Sequence, residues 1–189
     1  MKFIKNNSYN IIRLILNQFG MMIFGLVLSF ATGSLESGMS DKLLLFVSIF
    51  ATGFYMVLIY NIMWEQGAKD IIRIEAGRMQ CDKYYGAKVA LVANIPNLIL
   101  ALLVLIGYIT SKGSSGLYIS TYIFSGFIQS TYLGIVKAFF SLFENPEITL
   151  LLKSFIYFFT VIPAILCSTL SYILGLKNVK LFGGKKKSK

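Results

Sequence analysis

Asp70, Arg73, Glu75, Arg78 and Asp82 place opposite charges three or four residues apart, the spacing at which side chains on a helix meet as ion pairs. They belong to the stretch 64–88, which holds four of the chain's eight acidic residues and five of its eighteen basic ones between two long apolar runs. Its net charge is only plus one, so it is no polybasic lipid clamp. Charge-assisted recognition of a protein partner is the chemistry such a set can do, with Asp70, Arg73, Glu75 and Arg78 as the docking residues to test; the alternative is a solvated, self-paired connector that only spaces two spans. A second polar group lies inside the apolar runs: Asn94 and Asn97 around Pro96, and Gln129 on a later run. A proline frees a helix carbonyl and amides offer donors and acceptors at depth, so these three could line a path for an ion or small solute. They could equally be a kink whose amides bond to neighbouring helices.

Little else in the sequence offers reactivity. Histidine is absent, removing the commonest general base and metal ligand. There is no phosphate-binding glycine loop, no paired-cysteine motif and no G-x-S-x-G elbow. GSLESG and SKGSSG read as turns, and no carboxylate sits at the centre of an apolar run. Cys81 and Cys167 fall in the connector and deep in the last run, where a disulfide is geometrically improbable, so both read as reduced. No catalytic residue, metal site or cofactor is expected.

The elements that carry these residues are set by the solvent. The chain is 56% apolar and 14% charged with a mean hydropathy of +0.71, against about 25% charge in a soluble domain. Charge-poor runs of about 20 residues recur, each long enough to cross a hydrocarbon core of about 30 Å. The expectation is an all-α membrane protein over 1–176, a polytopic bundle of about five transmembrane helices within a range of four to six. The spans read as 11–33, 43–64, 86–109, 117–143 and 146–175, with an amphipathic connector helix over 65–85 and a flexible Lys-rich tail over 177–189. Arg13, Asn17 and Gln18 fall in the headgroup region at the start of the first span. In ENPEITLLLK, Asn145 caps and Pro146 begins the last span, and Pro163 kinks it. Gly77 and Gly86 mark a break and the return to the bilayer. TGSLESGMSDK lacks a small-residue cleavage site, so the first run reads as a retained span.

Lys and Arg near span ends set orientation. With the N-terminus inside, Lys2, Lys5, Arg13, the five basic residues of the connector, Lys137 and Lys153 fall on the cytoplasmic side, against Lys42 and Lys112 opposite. Five crossings then leave the tail outside, so its side stays open: either it is external, or 146–175 folds back at Pro163. Since the positive charge follows span ends, nucleic acid is not an expected partner. Small residues recur at helical spacing on four spans: Gly25, Ser29 and Gly33; Gly86, Ala90, Asn94, Asn97 and Ala101; Gly126, Ser130, Gly134 and Ala138; Ala164, Ser168, Ser171 and Gly175. Such faces let helix backbones approach closely in lipid and imply a compact bundle or a homo-oligomer.

A charged segment between the second and third spans, with an acidic residue followed by glycine and a lysine at the next span, is loosely similar to the layout through which ATP-driven export permeases meet their ATPase. The resemblance covers the connector alone, and the chain has one span fewer than such a permease. It implies an ATPase subunit as one candidate partner. The leading expectation is a non-enzymatic multi-pass subunit or accessory partner of a larger complex, docking through 65–85, in a bacterial plasma membrane, since the Ile, Asn and Lys bias fits an AT-rich genome. The rival is a stand-alone channel or carrier lined by Asn94, Asn97 and Gln129.

Overall fold

The computed structural model describes residues 2–33, 37–143 and 146–181. The Asn145 cap and the tail beyond Leu181 therefore lie outside the described residues. Among those described there are only helices: α1 (Lys2–Gly33), α2 (Ser37–Glu75), α3 (Tyr85–Ala93), α4 (Ile95–Ser111), α5 (Gly116–Ile128), α6 (Leu133–Phe140), α7 (Pro146–Phe159) and α8 (Val161–Leu176). A 3-10 turn, Ser130–Tyr132, joins α5 to α6. The fold is an all-α membrane bundle. Phe19, Ile23, Val27 and Phe30 on α1, and Phe155, Phe159, Ile162, Leu166 and Leu170 on α7 and α8, face outward at helical spacing. A surface of that composition suits lipid rather than water.

Three segments are long and apolar enough to cross a membrane alone, Phe3–Gly33, Asp41–Glu75 and Leu151–Leu176, and two bent pairs pass the same test, α3 with α4 and α5 with α6. Each break has an identifiable cause. The ring of Pro96 removes an N–H and crowds the preceding turn, and the chain bends by 57° at Asn94. The third span read over 86–109 is thus bent in the middle, at the kink to which Pro96 pointed. Pro163 acts likewise on the carbonyl four residues back, so the helix is interrupted at Thr160, yet Leu151–Leu176 still counts as one apolar span. The third break was not expected. The segment read as a continuous span over 117–143 turns by 81° around Gln129–Tyr132. There the hydroxyls of Ser130 and Thr131 donate to the α1 carbonyls of Met22 (2.7 Å) and Met21 (3.0 Å), and Gly25 leaves room for this: a Cβ on it would sit 2.6 Å from the Thr131 nitrogen.

Contacts fix where the ends lie. Arg13 of α1 meets Glu65 of α2 at 3.4 Å, and the α1 amides Asn7 and Asn10 bond Tyr85 at the start of α3. Trp64 donates its indole N–H to the Val179 carbonyl (2.7 Å), Tyr60 Oη accepts from the Leu181 N–H (2.8 Å), and Lys180 lies over the Trp64 ring. The N-terminus of α1, the connector and residues 177–181 therefore share one end of the bundle, and the first part of the tail is pinned to α2 instead of flexible.

At the other end, Lys137 of α6 pairs with Asp41 near the start of α2 (2.6 Å), and Lys153 lies over the Phe140 ring. Between them Gly134 packs against the Leu44 carbonyl and donates its N–H to Ser48 Oγ (2.8 Å). Meanwhile α5 descends beside α7, with Tyr122 against Tyr157 at 5.5 Å. The pair α5 and α6 is thus a V that dips to mid-bundle and returns to its own side. The start of α1 and residues 177–181 lie at the same end of the bundle, which is what an even number of crossings with α5 and α6 as a re-entrant V gives, and the parity left open by five crossings then closes. Lys137 and Lys153 move to the end opposite the connector.

Candidate functional site

The connector differs from a free-standing helix. Residues 65–75 are helical as the continuation of α2, whose 39 residues make a rod of about 58 Å at 1.5 Å per residue. This arm is held from behind. Gly67 of α2 and Gly175 of α8 leave the two backbones in contact, since a Cβ on either would collide with the other helix. One turn further, the Asp70 carboxylate accepts from Tyr172 Oη (3.1 Å), from Gln66 Nε2 (3.0 Å) and from Arg73 (3.4 Å). Tyr85 lies tilted against Tyr172 with ring centres 4.8 Å apart and joins both to α1 through Asn7 and Asn10.

These contacts sort the four expected docking residues. Asp70 is only 1% exposed and is an internal tie, not a surface contact. A buried carboxylate persists only when its charge is paired and hydrogen-bonded, and here it is. Arg73 is exposed and paired to Asp70, as the spacing predicted. Glu75 and Arg78 are exposed, and among the described residues neither makes an ion pair. Gly77, at φ 69°, ends the helix between them and spoils the register that a continuous helix would need. Asp82 pairs with Lys88 (2.7 Å) instead of Arg78. Beside the free charges stand Ile72, 66% exposed, and Tyr84, 71% exposed. The tip of the arm thus combines two exposed apolar side chains with an acid and a base that have no internal partner.

The second candidate lies at mid-bundle. Asn94 and Asn97, and Gln129 some thirty residues further on, are all buried and line one cavity of about 20 Å³ together with Tyr55, Tyr132 and Thr160. All three helix breaks meet there, because each is where a chain turns its polar backbone and side chains inward. Asn94 Nδ2 donates to the Ala90 carbonyl (2.9 Å), which also accepts the Asn94 backbone N–H (3.0 Å), and Asn97 Nδ2 donates to Asn94 Oδ1 (3.1 Å). Thr160 donates to Gln129 Oε1. Gln129 Nε2 and Tyr132 Oη are buried with no partner. Such a volume holds about one water molecule, and its two free polar groups supply the hydrogen bonds that a water needs.

Sequence reasoning missed several members of these sites. Gln18, assigned to the headgroup region, half-buried on α1, lines the cavity. Nothing in the sequence singled out Tyr172 and Tyr85, the buried partners of Asp70 and the α1 amides. Gly67 sat inside the charged stretch, outside any small-residue stripe, although its four-residue spacing from Met63, fully buried, was a visible sign of a helix face.

The class of molecule these features define is a polytopic helical membrane bundle with a projecting arm and a polar centre. No known family, curated protein or solved structure matches the chain.

Proposed function

We propose that this chain is a non-enzymatic membrane subunit that docks a protein partner through the tip of the α2 arm. The observation that carries the reading is the combination of rigid support and unsatisfied surface: Asp70, Tyr172 and the Gly67–Gly175 contact hold the arm, while Ile72, Glu75, Arg78 and Tyr84 face outward. Exposed apolar groups beside unpaired charges are what a partner covers. The basic residues support a cytoplasmic arm. Lys5, Arg13, Lys69, Arg73, Arg78, Lys83, Lys88, Lys177 and Lys180 cluster at its end, against Lys42, Lys112, Lys137 and Lys153 opposite. The membrane is a bacterial plasma membrane on this reading, and an ATPase subunit is the first partner to test.

The test is purification in mild detergent from the native host, with a Glu75→Lys/Arg78→Glu double variant alongside. An ATPase or a membrane protein that accompanies the wild type and is lost from the variant supports docking. Recovery of the chain alone in both cases removes it.

A second reading, a carrier lined by Asn94, Asn97 and Gln129, draws on their convergence in one cavity. Its one-water size requires the bundle to open before any solute larger than water moves. Flux into liposomes containing only this protein, lost on Asn97→Leu, is the corresponding test.

A further inference from the structure

The mid-bundle cavity has a neighbour. An apolar groove of about 480 Å³ runs between α1, the α3–α4 bend and α5, and Gln18, Asn97 and Ile128 line both spaces. Those three side chains therefore form the partition between a greasy groove and a polar interior. Phe19 of α1 and Phe124 and Phe127 of α5 stand exposed along the groove, so it opens sideways onto the surface that faces lipid.

The chemistry of the two spaces restricts what fits. No charged side chain lines either of them, so an ionic head would be desolvated without compensation. Gln129, only 5% exposed, holds an amide N–H with no partner at the inner end, and Tyr132 holds a hydroxyl in the same condition. A buried amide N–H requires an acceptor. The groove volume lies within the range of small-molecule sites, which are mainly apolar with a few placed polar groups.

We infer that this groove binds a neutral amphiphile taken from the bilayer, with its hydrocarbon chain along Phe19, Phe124 and Phe127. Its uncharged carbonyl or hydroxyl head passes between Gln18 and Asn97 to accept from Gln129 Nε2 and from the Tyr132 hydroxyl. A transmembrane helix of a partner or of a second copy would fill the apolar length, but a cylinder about 10 Å across stops at Gln18 and Asn97 and brings no acceptor to the amide behind them. A neutral glyceride, such as a diacylglycerol, has the required chain and acceptor.

The test uses the full chain in phosphatidylcholine nanodiscs doped with a diacylglycerol carrying a photoreactive group in one acyl chain, with labelled peptides mapped by mass spectrometry. Label should saturate on the α1 and α5 peptides that line the groove. Unlabelled diacylglycerol should compete about tenfold better than phosphatidylglycerol of the same chains. Met22→Trp, which fills the groove, should abolish the saturable label. Tyr132→Phe and Gln129→Leu should each weaken it about three- to tenfold, the loss of one buried hydrogen bond. Tyr132→Phe leaves the Thr160–Gln129 bond in place and is the decisive variant if Gln129→Leu does not fold.

The inference is overturned if label spreads over all outward helices in proportion to exposure, or if saturable label survives Met22→Trp in protein of native size-exclusion profile. It is also overturned if the groove residues instead cross-link to a second copy or another helix. The arm plays no part in this experiment, so its outcome is independent of partner docking.

Discussion

Gly67 of α2 and Gly175 of α8 lie back to back, so that a Cβ built on Gly67 would come within 3.0 Å of the Gly175 α-carbon and one built on Gly175 would meet Gly67 in return. The backbones, not flexible side chains, are the obstacle, so neither helix can yield locally. Gly67→Ala or Gly175→Ala is therefore expected to force α2 and α8 apart. Overpacking costs about 1–3 kcal/mol where side chains can move, and more here. Thermal unfolding in detergent should show a clear fall in Tm, while Gly20→Ala and Gly53→Ala, with open space around the glycine, should not. Equal behaviour of all four variants would remove the close crossing.

The Asp70–Tyr172 bond makes a different prediction from the same interface. Tyr172→Phe removes one hydrogen bond to a charged acceptor, an effect of about 1.5–3 kcal/mol. Because Gln66 and Arg73 still hold the carboxylate, the variant should fold with a lowered Tm. Asp70→Ala should cost more, since it strands the Tyr172 hydroxyl and frees Arg73 together. Protease sensitivity after Arg73 and Arg78, compared with that at Lys42, would report loosening of the arm itself. A variant with unchanged Tm and digestion would show that the buried carboxylate is not the tie.

The amides at the α3–α4 bend should behave as a connected pair. Asn97→Leu leaves Asn94 Oδ1 without its donor, at a cost of about 1–3 kcal/mol. Asn97→Asp places a carboxylate beside that oxygen at mid-bundle, where an acidic group costs about 2.5–3.5 kcal/mol on insertion scales. The expected order of thermal stability is wild type, then Asn97→Leu, then Asn97→Asp. Reversal of the last two would place a basic or solvated environment at this position.

What could be read from sequence followed the strength of the physical signal. Apolar runs separated by charge report the bundle because lipid imposes one rule on every helix. Of the stripe glycines, Gly25, Gly86, Gly134 and Gly175 meet another backbone closely, whereas Gly33 has open space around it and Gly126 meets only side chains. Pro96 and Pro163 announced two of the three breaks. The third carries no proline: Gln129–Tyr132 turns because Ser130 and Thr131 find α1 carbonyls more than a hundred residues away. A long-range partner of that kind leaves no local mark, and the error spread from it. Reading 117–143 as a crossing put Lys137 on the wrong side and left the tail without one. The charged arm shows the complementary failure, because spacing predicted Glu75–Arg78 pairing but could not show that Gly77 breaks the helix register between them.

Cysteine labelling tests the re-entrant V directly. The chain offers Cys81, exposed at the arm, and Cys167, half-buried within the bundle. In sealed vesicles of one orientation, a membrane-impermeant maleimide that reaches Cys81 should also reach Val179→Cys, because Trp64 binds the Val179 carbonyl at the arm's end. In a Cys81→Ser background it should fail to reach Lys112→Cys and Lys137→Cys until the vesicles are opened. The two lysine positions bracket α5 and α6, so equal protection means that the chain left and returned on one side. Lys137→Cys labelled together with Cys81, and Lys112→Cys protected, would mean that α5 and α6 cross. That outcome would break the Lys137–Asp41 pair and restore five crossings with the termini on opposite sides. The mid-bundle cavity would then lose one wall, because Gln129 and Tyr132 reach it only from the point of the V.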